Sequence, residues 1–222
     1  DHSFELESQL KGTAKEHYLD EIRNVIDKST FTYIRQQKML GLGNAILTGE
    51  ALIGNEPFAV ILADDLCSCD DEGVISQLLK IYNKYKCSVI AIEEVSLDKI
   101  ANYGVITGEI IDGTNDTFRV SNMFEKPKPD DLINLEVQKT HSSKSSNYMA
   151  IIGRYILTPD IFNILKKTKP DENGEIQITD ALVSQAKQNN VIAYKFKGKR
   201  FDCGSIKGYL EATRYYSKNL IE

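Results

Sequence analysis

The chain has 222 residues, of which 41% are hydrophobic and 27% charged, a balance that suits a folded globular protein and excludes disorder. A formal net charge of -5 disfavours a general nucleic-acid binder, which needs a broad basic face, yet leaves room for a phosphorylated ligand held by a few lysines. No apolar run approaches the roughly 20 residues that span a bilayer, and Asp1 to Gln9 lack the basic and apolar regions of a signal peptide, so a cytoplasmic protein without membrane contact is expected.

Taken in order, Tyr18, Leu19, Ile22, Val25 and Ile26 recur at helical spacing among charged neighbours and predict an amphipathic helix over 13–28. Residues 31–34 read as a strand that delivers Arg35 and Gln36 to its carboxyl end. Gly41 and Gly43 then open a helical run to Leu52. Glycines there either let backbone amides approach a planar or anionic ligand or simply make a tight turn.

After the turn residues Asn55-Glu56-Pro57, the apolar run Phe58-Ala59-Val60-Ile61-Leu62-Ala63 predicts a strand buried on both faces at the centre of an α/β sheet. It ends in Asp64-Asp65. Ligands of open α/β sheets gather at the carboxyl ends of strands, so these carboxylates either hold a cation and its phosphates or only start a loop or cap a helix. A helix over 74–85 and a strand over 88–92 follow, completing a predicted βαβ unit with parallel strands.

Shorter, more polar strands at 105–111 and 118–125, joined through Asp112-Gly113-Thr114-Asn115-Asp116, predict an antiparallel hairpin. It ends at Glu125-Lys126-Pro127. Neighbouring strand residues face opposite sides, so this pair serves one ligand only where the backbone is irregular, which Pro127 favours; otherwise it is a solvated charge pair. Residues 130–146 read as a loop. A strand over 150–157 precedes Thr158-Pro159-Asp160, a helix start with a capping residue and an early proline. A helix over 181–188, a strand over 191–196, the loop carboxylate Asp202 before Gly204, and a helix over 206–218 complete the chain.

Cys67, Cys69, Cys87 and Cys203 are too few and scattered for a disulfide framework and read as free thiols; with no histidine or second cysteine pair nearby, Cys67 and Cys69 do not make a zinc site. His2, His17 and His141 are peripheral, so no Ser-His-Asp or Cys-His set is available.

The ordered set I-R-Q (34–36), G-L-G-N-A (41–45), V-I-L-A-D-D (60–65), Y-G-V (103–105), F-E-K-P (124–127), I-I-G-R-Y (151–155), G-E-I-Q-I-T-D-A (174–181) and D-C-G (202–204) closely resembles the bacterial UTP–glucose-1-phosphate uridylyltransferases, or UDP-glucose pyrophosphorylases. The resemblance implies a Rossmann-like nucleotidyltransferase fold of class α/β, a mixed central sheet flanked by helices. It also implies the Mg2+-dependent reaction of UTP with glucose 1-phosphate to give UDP-glucose and pyrophosphate. Carried over, Asp64 and Asp202 would share the Mg2+, with Asp65 a second-choice ligand. Gln36 would pair with the uracil edge, Gly41 would let backbone approach the base, Gly104 and Glu125 would bind glucose hydroxyls, and Lys126 would meet the sugar phosphate. An asparagine that touches glucose falls by count near Tyr148, which makes Asn147 a candidate. A homo-oligomer is implied as well.

Asn44 stands where the family often has histidine, and Ala63 where it often has proline. The family begins with a strand and a glycine-rich loop that cradles the UTP phosphates, and nothing before Asp1 corresponds. A single nucleotidyltransferase domain over 1–222 that lacks this segment, and is inactive without it, is therefore expected. Other readings are a thymidylyltransferase making dTDP-glucose and a non-catalytic UDP-glucose-binding paralogue or fragment.

Overall fold

The protein is described by a computed structural model covering residues 3–128 and 147–218. Its contacts group into two compact units, Asp1–Gln37 and Lys38–Glu222. In the first, helix α1 (Phe4–Leu10) is capped by the Ser3 hydroxyl, and an ion pair of 2.7 Å between Glu7 and Arg23 ties it to α2 (His17–Ile26). The strand expected at 31–34 is irregular chain instead, with Phe31, Tyr33 and Ile34 exposed. β-Branched and aromatic residues favour a strand only where a neighbouring strand receives them.

The second unit opens with α3 (Gly41–Thr48) and α4 (Glu50–Ile53), then runs β1 (Phe58–Ile61), β2 (Asp65–Ser68), α5 (Val74–Tyr85), β3 (Ser88–Ser96), a 3-10 turn (Leu97–Asn102), β4 (Gly104–Ile110) and β5 (Thr117–Glu125). After the loop come β6 (Asn147–Leu157), α6 (Asp160–Leu165), α7 (Ile178–Ala186), β7 (Val191–Lys195), β8 (Lys199–Asp202) and α8 (Ile206–Lys218). Among the described residues six strands form one sheet in the order β1-β6-β3-β7-β5-β4, while β2 and β8 form a separate antiparallel ribbon. Among the described strands only β3 and β7 pair in parallel, so the sheet is mixed, as expected.

Alternation along β3 builds a core on each face. Ile90 and Ile92 pack with Ile161, Phe162, Leu165, Ile178 and Leu182 of α6 and α7, whereas Val89 and Ala91 pack with Val74 and Leu78 of α5.

Two expectations need correction. The strand after Pro57 does not lie at the sheet centre: among the described strands β1 is an edge, paired to β6 alone, with Phe58 and Val60 half-buried and Ala59 and Ile61 exposed. Nor are β1 and β3 neighbours. Both run antiparallel to β6, hence parallel to each other as the βαβ reading required, but the long β6 sits between them. A third, smaller correction concerns Thr158. Its hydroxyl accepts from Gln185 and meets Ser88 instead of capping α6, which begins without a side-chain cap.

The hairpin is as read, β4 against β5 with Gly104 opposite Glu125. Beyond it, Lys126 has a positive φ of 44°, the irregularity that Pro127 suggested. The loop assigned to 130–146, including His141, lies outside the described residues.

Candidate active site

Where β1 ends, the Leu62 amide still bonds the Gly153 carbonyl of β6 at 2.9 Å, and the Asp65 amide closes a turn onto Leu62 at 3.3 Å. Asp64 stands exposed on that turn, and Asp65 points inward. The ribbon then sets Asp65 opposite Asp202, and the Cys203 amide donates to the Asp64 carbonyl at 2.7 Å. Residues more than a hundred positions apart are thereby held side by side.

Gly204 measures how closely their carboxylates converge. A Cβ at that position would lie 3.2 Å from Asp202 Oδ1 and 3.4 Å from Asp64 Oδ2. Two oxygens, one from the turn before β2 and one from the end of β8, facing one small space suit a hard divalent cation whose remaining ligands are phosphate oxygens and water. Among the described residues no group of three or more His, Cys, Asp or Glu side chains is arranged for a metal, so a cation here would rely on Asp64 and Asp202. When bound, such an ion supplies neutralisation and orientation of phosphate charge.

Asp65 is not free for that role. Its Oδ2 accepts from the Gly153 amide at 2.6 Å, its Oδ1 from Arg200 Nε at 2.5 Å, and its carbonyl from Arg154. Gly153 permits this contact because a Cβ there would sit 2.7 Å from Asp65 Oδ2.

Asp64, Gly104, Glu125, Lys126 and Asp202 line one cavity of about 360 Å³. Glu125 Oε2 accepts from the Thr179 hydroxyl at 2.6 Å, and a Cβ on Gly104 would come within 3.4 Å of the same oxygen. The missing side chain at Gly104 leaves room for a ligand hydroxyl beside that carboxylate. Because Lys126 turns left-handed and its amide donates to the Tyr103 carbonyl at 3.1 Å, its ammonium lies 3.8 Å from Glu125 and shares the cavity. The lysine side chain is 61% exposed, so this pair contributes little to stability and is available to a phosphate.

Gly41 stands in the same unit with φ of 82°, and a Cβ there would be 2.9 Å from that of Glu175. The close approach it permits is thus to the chain's own 175–176 segment, which bonds Leu40 and Gly43 through Ile176. Gln36 belongs to the irregular end of the first unit. Asn147 is the first residue of β6, paired with Ser96.

Tyr103, Thr179 and Arg200 reach the cavity without having been given a role, although Tyr103 and Thr179 stand in the quoted motifs. The available signals were Tyr103 beside Gly104 and Arg200 two residues before Asp202, on the same face of β8. Burial pushes the Tyr103 phenol above its usual value, helped by its bond to Asp202, so it remains a donor. Burial works against the Arg200 charge, but Asp65 and Glu93 outweigh it and hold the guanidinium above its usual value.

The model of the Nucleotidyl transferase family matches residues 1–219. A UTP–glucose-1-phosphate uridylyltransferase of Pseudomonas aeruginosa is 53% identical over 99% of this chain and 74% of its own length. A solved UDP-glucose pyrophosphorylase complexed with UDP-glucose is 52% identical with a TM-score of 0.81, over 96% of this chain and 76% of that one. The UTP-bound UGPase of Acinetobacter baumannii gives 30% and 0.77, over 97% and 70%. Enzymes of this kind generally use a divalent metal, which the two converging carboxylates accommodate. The chain belongs to the nucleotidyl transferase family and, within it, to the UTP–glucose-1-phosphate uridylyltransferases.

Proposed function

We propose that the protein transfers a uridylyl group from UTP to glucose 1-phosphate, releasing pyrophosphate and forming UDP-glucose, with Mg2+ held by Asp64 and Asp202. The observation that carries this reading is the convergence of those carboxylates beside Gly204, on the cavity that also holds Glu125 and Lys126.

A phosphate oxygen of glucose 1-phosphate, ionised at neutral pH, attacks the α-phosphorus of UTP; the new P–O bond forms as the bond to the β-phosphate oxygen breaks. Since the nucleophile is already deprotonated, no general base is needed, and this chain's residues supply position and charge. Lys126 offsets the negative charge of the sugar phosphate. Glu125, oriented by Thr179, accepts from sugar hydroxyls that the space at Gly104 admits. Contacts of Gln36 and Gly41 with the base, and of Asn147 with glucose, rest on the motif match. A homo-oligomer in the cytoplasm belongs to the same reading, and the four free thiols fit a reducing compartment.

The test is pyrophosphate release from the purified complete protein with glucose 1-phosphate, Mg2+ and either UTP or dTTP. Faster release with UTP is expected. Preference for dTTP would reassign the base, and no release with either nucleotide, despite retained UDP-glucose binding, would make the protein a binding module.

A further inference from the structure

The two oxygens of the Asp202 carboxylate have different surroundings. Oδ2 accepts from the Tyr103 hydroxyl at 2.7 Å and faces Arg200 Nη2 at 3.7 Å, while Oδ1 is the oxygen turned toward Gly204 and Asp64. Arg200 is itself fixed. Its side chain is 6% exposed, Nε meets Asp65 at 2.5 Å, Nη1 meets Glu93 at 2.6 Å, and the guanidinium lies 4.7 Å from the centre of the Tyr103 ring. Asp65 is in turn bonded to Gly153 in β6, so the orientation of Asp202 is referred back to the main sheet. A carboxylate bound at neither oxygen turns broadly about its terminal bond; one held at a single oxygen presents the other in a narrow range of directions.

We infer that Arg200 and Tyr103 are positioning residues that lock Asp202 with Oδ1 toward the cation and thereby set the metal affinity of the site. This deepens, and rests on, the reading of Asp64 and Asp202 as a metal pair. A purely structural Arg200 would only neutralise Asp65 and Glu93, and the Tyr103 hydroxyl would then be irrelevant to metal binding.

Tyr103→Phe separates the two, since it keeps the ring over Arg200 and removes the hydroxyl that donates to Asp202 and that Arg200 also bonds. Mn2+ titrated into protein with UDP-glucose present, followed by the electron paramagnetic resonance of free Mn2+, should show about tenfold weaker binding in Tyr103→Phe, with the wild-type thermal transition retained. Arg200→Lys, which keeps the charge and loses the three-way fork, should weaken binding at least as much. If Arg200→Lys does not fold, Tyr103→Phe decides alone. Wild-type affinity in Tyr103→Phe, alongside lost binding in Asp64→Asn, would overturn the positioning role. Asp64→Asn indistinguishable from wild type would instead overturn the metal pair, and the positioning role with it.

Discussion

Asp64 stands exposed on the turn after β1, while the neighbouring Asp65 is buried between the Gly153 amide and the Arg200 guanidinium. Asparagine at 65 could keep the Gly153 bond but would leave a buried guanidinium without its main partner, so Asp65→Asn should lower the unfolding free energy by about 3 kcal/mol. Asp64→Asn removes a solvated charge and should stay within about 0.5 kcal/mol of wild type, while pyrophosphate release falls at least roughly a hundredfold. Urea unfolding of both variants, beside the release assay, checks this, and a reversed order of stabilities would exchange their roles. Local pattern did not separate the pair, because two adjacent carboxylates after an apolar run carry no sign of which one a distant strand will cover; only the motif resemblance put Asp64 ahead of Asp65. Lys126 was more legible. A charge pair ahead of proline has few ways to face one cavity, and a left-handed residue is one of them.

Elements defined by local periodicity were readable: α5 and α8 have the bounds that their apolar spacing predicted. Elements defined by distant partners were not. β2 and β8 have four residues each, too short and polar to signal a strand, and they exist because they pair with each other; β6 entered between β1 and β3 from far along the chain. That ribbon is what joins Asp64 to Asp202, so the most informative part of the site was the least visible locally. Helix α8 closes over it through Gly208, where a Cβ would collide with the Asp202 carbonyl oxygen. Helix propensity alone makes Gly208→Ala stabilising by about 1 kcal/mol. Forcing α8 off the backbone of β8 costs about 1–3 kcal/mol, and backbone cannot yield as a flexible side chain would, so net destabilisation is expected. Urea denaturation decides the sign, and a stabilised variant would refute the close seating of α8 on β8.

At the scale of the whole molecule, pH acts through groups that the fold keeps neutral. Burial raises the thiols of Cys67 and Cys87 and the phenols of Tyr103, Tyr155 and Tyr194 above their ordinary values. In the unfolded chain those thiols ionise near about 8.5 and the phenols near about 10. A group that binds its proton more tightly when folded contributes its full stability below the unfolded value and loses it as pH rises through the folded one. The loss should therefore begin near pH 8.5 with the thiols and steepen above about 10 as the three phenols join. Arg200 does not share in it, because Asp65 and Glu93 keep its guanidinium charged over this range. The urea midpoint, measured from neutrality to strongly alkaline pH, is expected to follow that two-stage decline. Phenolate absorbance near 295 nm should lag in the folded protein behind the denatured chain. A midpoint that stays level past the phenol range would mean that these side chains are more open to water than their packing against β3, β6 and β7 implies.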